Sequence, residues 1–146
     1  MMVAGALALG GIVGSFLNVC ASRLPNGRSL WMPGSACPAC AHPIRWYDNV
    51  PVLSFMVLRG RCRDCRAPIA WRYPGVEFGT ALLFALAYVH LGLGWELALA
   101  FIFLSALMVI TVIDLEHQLI LDRITLPVIA AGFLASVVLG RPSWPD

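Results

Sequence analysis

Residues 1–21 read MMVAGALALGGIVGSFLNVCA, a stretch that contains no charged side chain. A helix rises about 1.5 Å per residue, so this stretch spans about 30 Å, the thickness of one hydrocarbon core. No Lys or Arg precedes the run, and it is longer than the apolar part of a secretory signal peptide. These features favour a helix that stays in the membrane, and we predict a transmembrane helix over residues 1–22.

Three more apolar segments follow, at about residues 75–93, 97–113 and 124–139. The chain is 60% hydrophobic and only 12% charged, whereas soluble domains are roughly 45–50% apolar. A soluble fold of 146 residues has too little interior to hide this much apolar surface. We therefore expect an all-α membrane protein with about four transmembrane helices.

The positive charge is concentrated in one loop. All ten basic residues are arginines, and eight of them fall between residues 23 and 72 against two acids, a net charge of +6. The positive-inside rule predicts that residues 23–73 are cytoplasmic. Anionic lipid is then the expected electrostatic partner, and nucleic acid is not, because the loop is held at a membrane. With this orientation the third helix returns Asp114 to the cytoplasmic side.

Four of the five cysteines form two CxxC pairs, Cys37 with Cys40 and Cys62 with Cys65. Two such turns supply four thiolates to one tetrahedral ion, which is typical of a structural zinc site. Disulfides are the alternative, but a cytoplasmic loop lies in a reducing compartment where thiols persist. His42 is a less favoured ligand because four cysteines already complete the shell. We predict a zinc-ribbon-like loop between helices one and two, with metal binding driving its folding.

Apolar side chains lie between the two cysteine pairs, and two placements for them stay open. They either fold over the metal site or lie on the bilayer surface. The residues are Trp46, Tyr47, Val50, Val52, Leu53, Phe55 and Met56.

Residues 114–123 form the most polar stretch outside the arginine-rich loop and hold three of the eight acids. Asp114 ends a charge-free apolar run over residues 97–113. An acid at the end of a membrane helix is costly to keep, which indicates a functional role. The alternative is a solvated interfacial loop. Metal binding by Asp114, Glu116 and His117 is disfavoured because no HExxH pattern is present.

Three stretches in order resemble the type IV prepilin leader peptidases. They are GSFLNV at 14–19, the doubled CxxC loop, and IDLEHQLI at 113–120, and RYPGVE at 72–77 is similar as well. Members of that family are bacterial inner-membrane, multi-pass aspartyl proteases that remove the leader from prepilins and pseudopilins. Many of them then methylate the new N-terminal amine with S-adenosylmethionine.

The resemblance implies roles for particular residues. Asp114 corresponds to the first catalytic aspartate, and residues 74–146 would then hold helices two to four with that aspartate. Gly60 and Arg61 correspond to a pair associated with methyl transfer, although the family often has Lys in place of Arg61. The metal ligands would be Cys37, Cys40, Cys62 and Cys65.

The second catalytic aspartate of the family lies in a GxGD motif, which is absent from this sequence. We therefore expect this chain to lack the second aspartate and to be an N-terminal portion of the enzyme. Asp122 is a poor substitute, since eight residues of continuous helix place it about 12 Å from Asp114. Leu121 replaces a common Pro and lets that helix continue.

Several polar residues have weaker predicted roles. Glu77 is either a favourable first-turn acid of helix two or an auxiliary residue that forms a polar wall facing Asp114 or a basic leader. Asn18 is expected to hydrogen-bond between helices, and Cys20 to be a buried thiol. The alternative function, from another class, is a non-enzymatic membrane zinc-ribbon scaffold of a secretion or pilus complex.

Overall fold

The computed structural model describes residues 2–32, 34–117 and 122–138. Within these ranges the chain is helical, apart from turns and two isolated β-bridges in the loop. The helices are α1 (Met2–Arg23), α2 (Leu53–Val57), α3 (Arg72–Leu91), α4 (Trp95–His117) and α5 (Asp122–Val138), and a 3-10 turn covers Trp46–Asn49.

Three of the described helices, α1, α3 and α4, are long and apolar enough to cross a membrane. This confirms an all-α membrane protein with the cysteine loop between its first two spans. The fourth predicted segment corresponds to α5, of which 17 residues are described.

The predicted bounds of the third span were too narrow. We expected helix over residues 97–113, but α4 begins at Trp95 and continues to His117. Glu96 suits the first turn because an acid there interacts favourably with the helix dipole. Asp114 therefore lies on a helix and not in a loop.

Close packing of α1 against α3 depends on two glycines. A Cβ atom on Gly10 would lie 2.6 Å from the Cα of Ala81, and one on Gly14 would lie 2.8 Å from the Cα of Glu77. Such distances are too short for any side chain, so only glycine lets the two backbones come this close. The four-residue spacing of these glycines is a known helix-pairing pattern that our sequence prediction did not use.

The buried core lies where α1, α3 and α4 meet, towards the end of α1 that leads into the loop. Next to this core, the side-chain amide of Asn18 donates a hydrogen bond to the carbonyl of Tyr73 at 3.0 Å. This confirms the predicted interhelical hydrogen bond. Cys20 is buried, also as predicted. The core residues are Leu17, Cys20, Ala21, Val76, Val109, Val112 and Ile113.

A candidate metal centre beside a helix-borne carboxylate

The first CxxC pair lies in a tight turn. The N–H of Cys37 donates to the carbonyl of His42 at 3.0 Å, and the N–H of Ala41 donates to the carbonyl of Cys37 at 2.8 Å. Ala36 and Pro43 form an antiparallel bridge that closes the turn. Ala41 has a φ of 58°, a left-handed conformation that reverses the chain directly after the second cysteine.

The second pair repeats this geometry. The N–H of Cys62 donates to the carbonyl of Ala67 at 2.8 Å, and the N–H of Arg66 donates to the carbonyl of Cys62 at 3.1 Å. Arg61 and Pro68 form the closing bridge. Arg66 has a φ of 62° and occupies the position that Ala41 occupies in the first turn.

The two turns share one sequence pattern. Residues 37–46 read CPACAHPIRW and residues 62–71 read CRDCRAPIAW, so both follow CxxCxxPIxW. Our sequence prediction used only the cysteine spacing and missed this repeat. The repeat explains why both halves of the site adopt the same turn, because the proline of each copy takes the same place in the closing bridge.

The four sulfur atoms of the two turns all lie within 4.8 Å of one another. The Cys37 and Cys65 sulfurs are 3.8 Å apart. A tetrahedral ion with zinc–sulfur bonds of about 2.3 Å places its ligands about 3.8 Å apart, whereas a disulfide needs about 2.05 Å. The four thiols are free. The site therefore fits a metal such as zinc, held by Cys37, Cys40, Cys62 and Cys65.

The thiols of this cluster do not ionise alike. The backbone N–H groups of Cys40 and Ala39 point at the Cys37 sulfur and lower the pKa of that thiol to about 7. The N–H of His42 lowers the pKa of Cys40, but desolvation and hydrogen bonds to the other thiols outweigh it and raise the value to about 12. A divalent cation has to displace the remaining protons, so metal affinity should weaken as the pH falls.

An ion pair ties the second turn to the 3-10 turn. The Nε and Nη2 atoms of Arg63 donate to the two carboxylate oxygens of Asp48 at 2.8 and 2.6 Å. Hydrogen bonds from Arg63 lower the pKa of the Asp48 carboxyl. The Arg63 guanidinium also lies 5.6 Å from the centre of the Tyr47 ring. These contacts connect the two halves of the loop.

Gly60 and Arg61 directly precede the second cysteine pair. Gly60 has a φ of 67°, and a Cβ atom on it would lie 3.0 Å from the ring of Phe55. Its carbonyl accepts a hydrogen bond from the N–H of Ile69 at 2.7 Å. The position therefore favours glycine, because a side chain there would crowd the Phe55 ring and adopt a left-handed backbone. The neighbouring Arg61 is exposed.

Asp114 is exposed on α4 and follows Ile113, which is almost completely buried in the core. Two residues further along, Glu116 forms an ion pair with Arg72 at the first turn of α3. The guanidinium of Arg72 also lies over the ring of Tyr73, 4.7 Å from its centre. The end of α4 and the loop-proximal end of α3 are thus held together. Asp114 lies at the same end of the helices as the arginine-rich loop, and the sequence alone did not reveal this ion pair.

Glu77 is not a first-turn acid of its helix. Because α3 begins at Arg72, Glu77 lies in its second turn. One carboxylate oxygen accepts a hydrogen bond from the N–H of Val52 at 2.8 Å, and the hydroxyl of Ser15 donates to the same carboxylate. Glu77 therefore connects α3 to α1 and to the loop. The side chain of Asp122 lies outside the described residues.

Fold and site together define a membrane protein with several spans, a loop whose four cysteines fit a metal ion, and an exposed acid at the loop end of a spanning helix. Residues 8–91 match the family model described as Bacterial Peptidase A24 N-terminal domain. The chain belongs to this family.

Curated relatives carry the name prepilin leader peptidase/N-methyltransferase. The Myxococcus xanthus protein is 42% identical over 138 residues, which cover 94% of this chain and 41% of the relative. The Klebsiella pneumoniae protein is 44% identical over 127 residues, covering 83% and 56%. The Pseudomonas aeruginosa protein is 35% identical over 153 residues, covering 89% and 53%. The chain thus spans about half the length of these relatives. No solved structure matches it.

Proposed function

We propose that this chain is part of an intramembrane aspartyl endopeptidase that removes the leader from type IV prepilins and pseudopilins. The observation that carries the proposal is the position of Asp114. It is an exposed acid on a membrane-length helix, at the end where the metal-binding loop lies. The names of the relatives support the same reaction.

Hydrolysis by an aspartyl protease requires two carboxylates that share one proton, so that one acts as base towards water and the other as acid. Glu116 is paired with Arg72, and Glu77 faces the N–H of Val52. Neither of these acids is placed as the partner of Asp114. The proposal therefore takes the second carboxylate from an acid other than these two.

We place the protein in the bacterial inner membrane, with the arginine-rich loop and Asp114 on the cytoplasmic side. The charge of the loop supports this orientation, and anionic lipid headgroups are its electrostatic partner. A prepilin with a basic leader would then meet Asp114 at the cytoplasmic face.

The test compares prepilin cleavage by three proteins: this chain, a form extended to the length of the relatives, and the extended form with Asp114→Asn. We expect cleavage only by the unmodified extended form. Glu96→Gln, at the opposite end of α4, is the matched control and should leave cleavage unchanged. Cleavage by the Asp114→Asn form would refute the catalytic role of Asp114.

The outcome also separates the enzyme from the scaffold hypothesis. If no form cleaves prepilin while each retains its metal, the non-enzymatic scaffold becomes the better description. Metal content is the fold control here, since it reports whether the loop is correctly formed.

The four cysteines are proposed to hold one zinc ion with a structural role. Four protein ligands close the coordination shell, so no position is open for water or substrate. When bound, the ion supplies folding free energy to a loop that has little core of its own. Peptide hydrolysis is assigned to carboxylates and not to this metal.

N-methylation of the new N-terminus by S-adenosylmethionine is a second proposed activity, carried by the names of the relatives. Among the described residues, the groove beside Gly60 does not fit that cofactor. Its lining is apolar and aromatic, with Arg59 as its only charged residue and no acid to hold ribose hydroxyls or an ammonium group. We derive no methyl-transfer step through this groove. Arg61→Ala should abolish methylation and spare cleavage if this pair serves methyl transfer.

A further inference from the structure

Some apolar side chains of the loop, and one at its junction with α3, are exposed. Leu53, Met56 and Val57 on α2 are 61%, 67% and 76% exposed, and Trp71 at the start of α3 is 78% exposed. Residues spaced by three and four positions share one face of a helix. We call Leu53, Met56, Val57 and Trp71 the apolar loop face.

This face is continuous with a membrane-spanning helix. Met56 and Trp71 line one open groove of about 930 Å³ together with Pro74 of α3. The Trp71 ring also contacts the Phe55 ring, with centroids 4.7 Å apart. Pro74 itself is buried, and Phe78, four residues further along the same face of α3, is 61% exposed. The apolar loop face therefore lies next to the exposed apolar surface of α3.

Pro51 and Val52, the two residues before α2, pack against the membrane-spanning helices α1 and α3. The side chain of Pro51 packs on Gly11, where an added Cβ atom would lie 3.3 Å away. Gly11 is twelve residues before Arg23, or about 18 Å along α1 from its loop end. The N–H of Val52 meets Glu77, which lies five residues into α3, or about 7.5 Å along that helix. The first turn of α2 thus lies at the level of the spans and not above them.

Glu77 makes this placement compatible with lipid. Val52 has a φ of 60°, which a β-branched residue rarely adopts, and its N–H precedes α2 without a helical partner. An unpaired N–H at membrane depth costs free energy. The Val52 N–H avoids this cost because it donates a hydrogen bond to the Glu77 carboxylate. Glu77 thereby fastens the start of α2 to α3.

We propose that the apolar loop face is embedded in the lipid–water interface, with α2 as an interfacial helix fastened to α3 by Glu77. Its occupant is the bilayer itself, since the face adjoins the exposed apolar surface of α3 and the residues that begin α2 lie at the level of the spans. An exposed tryptophan at its edge suits the headgroup region. The inference is independent of which reaction the protein catalyses.

The test is photo-crosslinking in vesicles of phosphatidylethanolamine and phosphatidylglycerol, with p-benzoylphenylalanine placed at one position at a time. Met56 and Leu53 are the test positions. Ile102, which is 65% exposed on α4, is the lipid-facing reference, and Asp64 at the tip of the second cysteine turn is the water-facing control. Retained metal shows that each variant is folded.

We expect lipid adducts at Met56 and Leu53 well above the Asp64 background, as for an interfacial helix. Asp64 should give background only. Glu77→Gln, which keeps an acceptor oxygen, should preserve the Met56 adduct, and Glu77→Leu should reduce it.

Two results would overturn the proposal. Met56 and Leu53 adducts at the Asp64 level would place the face in water. Adducts to an added prepilin peptide in place of lipid would make the face a substrate-binding surface instead.

Discussion

Replacing Gly10 by alanine tests the packing that brings α1 and α3 together. The new Cβ atom would lie 2.6 Å from the Cα of Ala81 and 2.8 Å from the carbonyl oxygen of Thr80. Carbon atoms in contact are about 3.5–4.0 Å apart, so the two helices must separate by about 1 Å. Both neighbours are backbone atoms, and no side-chain rotation can relieve the overlap.

The expected cost follows from two opposing effects. Overpacking of a well-packed contact costs about 1–3 kcal/mol. Alanine has a higher helix propensity than glycine, which returns up to about 1 kcal/mol. We therefore expect Gly10→Ala to lower the free energy of unfolding by up to about 2 kcal/mol relative to the parent, and by about 1–3 kcal/mol relative to an alanine substitution that gains propensity without the overlap.

The assay is unfolding of the metal-loaded protein in detergent micelles by added dodecyl sulfate, followed by tryptophan fluorescence. Gly5→Ala is the matched control on the same helix, because a Cβ atom there has no neighbour within 4 Å. The control should be as stable as the parent or slightly more so. If Gly10→Ala is no less stable than Gly5→Ala, the close approach of the two helices is wrong.

Three further predictions concern the loop. X-ray absorption at the zinc edge should show only sulfur ligands at about 2.3 Å, and Cys62→Ser should remove one of them; two disulfides under reducing conditions would contradict the site. Ser35→Cys should resist a membrane-impermeant reagent added to intact cells, whereas Leu93→Cys, between α3 and α4, should react; labelling at residue 35 would reverse the topology. Asp48→Asn should lower the melting temperature at pH 7, and because Arg63 lowers the pKa of Asp48 in the folded state, the difference should vanish as the pH falls through that pKa. A difference that persists at low pH would rule out the ion pair as its cause.

The membrane fold and the four-cysteine cluster were predictable because their signals are local. Uninterrupted apolar length alone indicates a span, and the cysteine spacing alone brings two sulfurs to each turn. The spans that formed α1, α3 and α4 needed no tertiary information, although their ends shifted by one to four residues.

The contacts that arrange the site were not predictable in the same way. Glu77 accepts a hydrogen bond from the N–H of Val52, which is 25 positions away in the sequence. Arg72 at the start of α3 forms an ion pair with Glu116 near the end of α4. Such pairs depend on how the helices are rotated and aligned, which apolar composition does not specify. Gly10 is an intermediate case, since its spacing from Gly14 was visible but its partner helix was not.

The two cysteine turns also affect how long the flexible connection between α1 and α3 is. The chain between Arg23 and Arg72 is 49 residues long, but a metal that joins Cys37 to Cys65 reduces the connecting path to 14 residues on one side and 7 on the other. For a flexible chain, shortening the tether from 49 to 21 residues lowers the entropic cost of bringing its ends together by about 0.7 kcal/mol. A bound metal would thus favour pairing of α1 with α3 by about threefold, beyond its effect on the loop itself.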